Sequence, residues 1–222
     1  MGKTIELSAA DGHRFNAYLA EPAATPRGAL VVVQEIFGVN SHIRSVADGY
    51  AADGYLAIAP ALFDRVERGV ELGYSEPEIQ RGAGLKAATG NDSPLLDIAA
   101  AMAQVQRAGK VGVIGYCWGG LLSWLAACSL DGLSASVPYY GGGIPNHRAL
   151  TPRCPVLAHF GERDSHIPLA TVEVFRAAQP GVTIQLYPAL HGFNCDHRAS
   201  FDAASAALAR GRTLAFFRQR VG

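Results

Sequence analysis

The sequence lacks any apolar run approaching the ~18 residues that a membrane-spanning helix needs, so no span is expected. It also lacks a block of like charge. Its 19 basic and 19 acidic side chains cancel to a formal net charge of zero. That removes the electrostatic footprint by which proteins recruit nucleic acid or an anionic membrane surface. Cysteine is scarce and scattered, at Cys117, Cys128, Cys154 and Cys195, with no Cys-x-x-Cys pair. A disulfide framework and a zinc site of ordinary spacing are therefore not expected, nor is any metal or organic cofactor. The first residues, Met1-Gly2-Lys3-Thr4-Ile5-Glu6, lack the apolar core of a signal peptide, which makes a cytoplasmic protein the expectation. No repeat or low-complexity linker divides the chain, so one domain over residues 1–222 is expected, as a monomer or small homo-oligomer.

What is present is a large apolar fraction, 49%, with 17% charged residues, enough for a single sizeable core. Residues 3–8 and 13–20 read as two strands around the turn Ala10-Asp11-Gly12, and the polar–apolar alternation of the first suits an edge hairpin. Residues 29–33 are uninterrupted and apolar, as in a strand covered on both faces. Residues 55–59, 110–114, 133–140, 155–160 and 182–187 read as further strands. Between them, Ser41 caps a helix to about Asp53, and Asp92 or Ser93 caps one to about Ala108. Residues 169–178 and 199–220 supply two more. Residues 61–91 are broken by Gly69, Gly73, Gly82, Gly84 and Gly90 and read as a loop with short helical pieces over the sheet's C-terminal edge. Arg65, Arg68, Arg81 and Lys86 lie in that stretch and are candidate contacts for an acidic substrate. Strands alternating with helices give an α/β fold with a mainly parallel central sheet and helices on both faces.

One stretch organises the rest. Residues 110–114 lead into Gly115-Tyr116-Cys117-Trp118-Gly119-Gly120, and residues 121–128 continue as a buried helix. Strand, sharp glycine-flanked turn and helix make a nucleophile elbow, here with cysteine at its apex. Two further residues follow later strands, Asp164 in Gly161-Glu162-Arg163-Asp164 and His191 in His191-Gly192-Phe193. Taken singly, Asp164 would be a turn residue or helix cap and His191 a loop or core histidine. Together they follow Cys117 in the order nucleophile, acid, histidine expected on an α/β-hydrolase sheet. The chemistry needs these types. A free thiol with a pKa near ~8.5 is mostly protonated at neutral pH. A histidine takes and returns its proton, and an acid on the far ring nitrogen fixes the tautomer. Asp196, His197, His166 and His159 are weaker rivals, and His159 reads as a packed core residue inside its strand. The backbone N–H groups of Trp118 and Ile36 are the expected oxyanion hole, and the acyl group would pass from Cys117 to water.

These segments, with Gln34-Glu35-Ile36-Phe37-Gly38 and Ala59-Pro60, resemble the dienelactone hydrolase (carboxymethylenebutenolidase) family over nearly the whole chain. The resemblance implies an α/β-hydrolase that opens an unsaturated lactone, a cyclic enol ester, to a dicarboxylic keto acid. It further implies that the thiol rests neutral against Glu35 until substrate entry frees the carboxylate to deprotonate it. Family members carry a substrate-binding arginine four residues after the catalytic histidine. Here that place holds Cys195, with Arg198 three residues further on, and the family's other carboxylate-binding arginine corresponds to Arg81. Phe37, Tyr139 and Phe193 are further candidate substrate-binding residues. The expected partner is thus a small ester or lactone, with a general carboxylesterase or thioesterase as the first rival. A non-catalytic binding module and a redox-sensing cysteine protein are the others.

Overall fold

The computed structural model describes residues 2–222. β1 (Lys3–Ser8) and β2 (Arg14–Ala20) form the expected hairpin. β3 (Ala29–Val33), β4 (Leu56–Pro60), β5 (Val111–Tyr116) and β7 (Leu157–Gly161) are buried along their whole length. β6 (Leu133–Tyr139) and β8 (Thr183–Tyr187) complete one sheet in the order β1-β2-β4-β3-β5-β6-β7-β8. Only the β1–β2 and β2–β4 pairings are antiparallel. The hairpin lies at the sheet's edge with β1 outermost. β2 pairs with β4 and is packed by the helix Ser41–Ala52 and the 3-10 turn Leu62–Arg65, which accounts for its apolar second half.

Helices cover both faces. On one, α1 (Ser41–Ala52) and α6 (Ala203–Arg220) are joined by the Arg210–Asp53 ion pair. On the other lie α3 (Ser93–Val105), α4 (Trp118–Ser129) and α5 (Leu169–Ala178), with Trp124 edge-on to Phe175 at 5.1 Å between ring centroids. Among the described residues no helix is long and apolar enough to cross a membrane. Two helix starts differ from expectation by local capping chemistry. Asn40, one residue ahead of Ser41, accepts from the Ile43 N–H and is the true cap of α1. Asp202 accepts from the Ser205 N–H, so α6 begins at Ala203 instead of near Ala199.

The largest departure is in residues 61–91, where the expected loop contains a 14-residue helix, α2 (Glu76–Thr89), after a short 3-10 turn at Leu62–Arg65. Its glycines hid it, although Ser75-Glu76-Pro77-Glu78 is a capping box: the Glu78 carboxylate accepts from the Ser75 and Gly73 N–H groups. Gly82 is there for close approach, since a Cβ would fall 2.1 Å from the Ile36 carbonyl oxygen. α2 therefore packs directly on the loop after β3.

Strand order reverses about β3, with β4 on one side and β5 on the other. The crevice beyond such a switch point is where open parallel sheets place ligands. Glu35 follows β3 and Cys117 follows β5, so both stand at its rim. Cys117 itself has φ +54° and ψ −113°, a conformation that costs about 1–3 kcal/mol and survives only where the surroundings enforce it. The enforcement is steric. A Cβ on Gly119 would lie 2.4 Å from the Val33 carbonyl oxygen and 2.5 Å from that of Gln34.

Gly119→Ala should therefore lower stability by about 2–3 kcal/mol, a fall in Tm of roughly 5–10 °C by thermal melting. Gly84→Ala is the control. Its Cβ meets nothing within 4 Å, and helix propensity should raise Tm by a few degrees, about 1 kcal/mol.

Candidate active site

Cys117 caps α4, and its N–H donates to the Tyr139 carbonyl of the neighbouring strand at 3.1 Å. This ties the apex of the turn to β6. His191, in the loop after β8, brings Nε2 to 3.2 Å from the Cys117 sulfur. Its Nδ1 lies 2.7 Å from Asp164 Oδ2. The other oxygen of Asp164 accepts from the His166 and Ile167 N–H groups at 2.8 and 3.2 Å, which fixes the carboxylate's plane. The three side chains expected to meet do so, from three loops at one end of the sheet. Burial disfavours a charged His191 ring, but the Cys117 sulfur and the hydrogen-bonded Asp164 outweigh it and carry the imidazolium up to about 10.

The N–H of Trp118 begins α4, and the N–H of Ile36 lies in the loop after β3. Among the described residues neither donates to a protein acceptor. Trp118's indole is used structurally, stacked on Phe63 at 5.3 Å and donating to Asn91.

A cavity of about 280 Å³ opens over Cys117 and His191, lined also by Ile36, Phe37, Ile79, Ala83, Lys86 and Arg198. Glu35 is 1% exposed, and both its oxygens lack a hydrogen-bond partner. Arg198 Nη1 stands 3.5 Å from Glu35 Oε1, and the guanidinium lies over the Phe37 ring at 5.7 Å. Arg198 reaches this place across Gly192, where a Cβ would sit 2.5 Å from its Nη1. The contact between thiol and Glu35 that the resemblance implies is not the one present. The sulfur is with His191, and Glu35 is with Arg198.

Other expected contacts fall elsewhere. Arg81 pairs with Glu67 on the exposed side of α2 and does not line the cavity. Arg65 is taken by Asp11 and Asp97, and Arg68 by Glu6. Of the four cations in that segment, Lys86 alone lines the cavity, and among the described residues it pairs with no carboxylate. Its place one turn beyond Gly82 on α2 would have marked it, had the helix been recognised. Tyr139 and Phe193 are core residues. The Tyr139 hydroxyl is 2.7 Å from Thr213 Oγ1, and Phe193 packs against Tyr187. The tyrosine beside the site is the next one, Tyr140, edge-on to His191 at 5.2 Å and with φ +36°. β6 ends at Tyr139, and the positive φ of Tyr140 turns the chain there, which brings the later ring to the site. His166, exposed and 5.0 Å from the His191 ring, also borders the cavity. His159 is buried between the Tyr187 and Thr213 hydroxyls, and burial, then Arg212, pushes it down to about 3.

Fold and site together define an α/β-hydrolase of the carboxylic ester class. The chain belongs to the dienelactone hydrolase family, whose model matches residues 15–221. It is 41% identical over 211 residues to a Synechocystis protein provisionally named carboxymethylenebutenolidase, covering 86% of this chain and 85% of that one. It is 31% identical over 223 residues to the carboxymethylenebutenolidase of Pseudomonas putida, covering 96% and 94%. A crystal structure of a Klebsiella pneumoniae protein, provisionally named dienelactone hydrolase, superposes with a TM-score of 0.86 at 32% identity, covering 99% of each chain.

Asp164→Asn tests the site's electrostatics. The carboxylate raises His191, so without it the ring should lose its proton at lower pH. The alkaline limb of the kcat/KM profile should move down from about 10, and kcat should fall roughly 10²–10⁴-fold. An unmoved alkaline limb would separate Asp164 from the titrating pair.

Proposed function

We propose that this protein hydrolyses a small anionic ester or lactone, of which dienelactone is the type, through a Cys117 thioester. The observation that carries this reading is the unbroken line from Cys117 sulfur through His191 to Asp164 at the floor of a cavity bearing two cations. The Cys117 thiolate attacks the lactone carbonyl, and the oxyanion is held by the Trp118 and Ile36 N–H groups. The C–O bond breaks, and the enol oxygen takes the proton from His191. The freed enol tautomerises to the ketone. Water then gives a proton to His191 and attacks the thioester, and the carboxylic acid leaves as Cys117 recovers its electron pair.

Glu35 governs when the thiolate is available. Among the described residues its carboxylate has one charged partner, Arg198, and no hydrogen bond. A substrate carboxylate competes with Glu35 for that guanidinium, and Glu35 released toward the thiol can take its proton. Arg198 thus serves where the family arginine is absent at Cys195, and Lys86 grips the substrate from the α2 side. Four unpaired thiols suit work in a reducing compartment, the cytoplasm.

Cys117→Ala should abolish turnover on both dienelactone isomers and on aryl esters in steady-state assays, at least 10³-fold. Activity unchanged in that variant would overturn the reading. Lys86→Ala should raise KM about tenfold for an anionic lactone, about 1.4 kcal/mol, and leave a neutral aryl ester unaffected. Arg81→Ala should change neither. Neutral aryl esters turned over faster than dienelactone by the wild type would point to a general carboxylesterase with the same machinery.

A further inference from the structure

Next to Glu35 stands a second group of metal-binding side chains that the proposed hydrolysis does not use. Glu35, His42 and Cys195 are all buried, and their ligand atoms lie within 4.8 Å of one another. They come from three distant places: the loop after β3, the first turn of α1 and the loop after His191. Both oxygens of Glu35 and Nε2 of His42 are buried without a hydrogen-bond partner. Each such orphan costs about 1–3 kcal/mol unless something fills it. Nδ1 of His42 is held by Asp196 Oδ1 at 3.0 Å. A carboxylate on the far ring nitrogen is the arrangement that orients metal-ligating histidines and raises their basicity. Cys195 is pinned by backbone bonds from its own N–H to the Gly192 carbonyl and from the Arg198 N–H to its carbonyl.

Charge and access agree. One carboxylate and one thiolate neutralise a divalent ion, so the filled site buries no net charge. A nitrogen, oxygen and sulfur set suits zinc, with donors drawn in to about 2.0–2.3 Å. His42 also lines a separate cavity of about 350 Å³ with Tyr50, Asn194, Asp196 and Arg210. At its exposed rim His42, Asp196 and His197 form an overlapping set whose ligand atoms are again within 4.8 Å.

We propose that Glu35, His42 and Cys195 form an inhibitory Zn²⁺ site. Binding forms bonds to a Glu35 oxygen, His42 Nε2 and the Cys195 sulfur. The thiol proton goes to solvent, and no electron changes hands. The bound ion holds Glu35 away from Cys117 and takes the carboxylate that Arg198 pairs with. The inhibition rests on the role given to Glu35 above, whereas the binding does not.

Binding is read first in the Cys117→Ala chain, which removes the catalytic thiol as a competitor, with Co²⁺ as probe. One Co²⁺ per chain with a near-ultraviolet sulfur-to-cobalt charge-transfer band is expected. Adding Cys195→Ser should remove the band, and adding His42→Gln should weaken binding at least tenfold. No band in Cys117→Ala, or a band that survives Cys195→Ser, overturns the site. Inhibition is read with Cys117 intact. His42→Gln should retain ester turnover and need at least tenfold more Zn²⁺ for half-inhibition than wild type. Equal sensitivity of the two overturns the regulatory role. Cobalt bound through Cys195 in Cys117→Ala, together with a wild type that hydrolyses no ester, supports the metal site and overturns the hydrolase reading instead.

Discussion

The positive φ of Cys117 is the constraint on which the site depends. A residue other than glycine adopts φ +54° only with cause, and the cause is the near-contact of α4 with the end of β3 through Gly119. That contact leaves the chain no room for a wider turn. The side chain is thereby lifted off the end of β5, the N–H of Trp118 is exposed at the start of a helix, and the apex is tied to β6 through Tyr139. Loops from β7 and β8 then need only deliver an acid and a histidine to a position already defined. The strain is offset by the packing of the whole sheet centre, so the geometry of Cys117 is a property of the core.

Electrostatic contrast between two histidines shows how partners decide chemistry. His159 and His191 are both largely enclosed. His159 meets only hydroxyls and stays neutral, pushed down to about 3 by burial and then Arg212. His191 meets a carboxylate and a sulfur and is carried up to about 10 against the same burial. Its raised value also links to stability. The contribution is complete below the ordinary histidine range and is lost as pH rises through about 10. Glu35 presents the opposite case, a buried carboxylate with no hydrogen bond and a single guanidinium nearby.

α2 supplies one wall of the cavity over Cys117 and His191. Ile79, Ala83 and Lys86 recur at helical spacing and face the groove, while Gly82 lets the helix touch the loop that bears Ile36. Arg81, one residue from Gly82, turns outward to Glu67. Helical phase thus separates two cations five residues apart into a surface ion pair and a cavity wall.

Much of this was legible in the sequence. The uninterrupted strands, the glycine-flanked elbow and the order Cys117, Asp164, His191 follow from local chemistry: burial on two faces demands apolar runs, and a tight turn demands glycine. The strands and the elbow are each written within a few residues, while the order Cys117, Asp164, His191 spans 74 positions and is legible because each of the three follows a strand. Tertiary structure decided what depends on phase and distance. It set Tyr140 rather than Tyr139 beside His191, sent Arg81 to the surface and Lys86 inward, and carried Arg198 across Gly192 to Glu35. It also gathered Glu35, His42 and Cys195, which are separated by up to 160 positions in the chain and share no spacing rule. Side-chain direction on an element is set by which face the core claims, and that is known only when all the elements are packed.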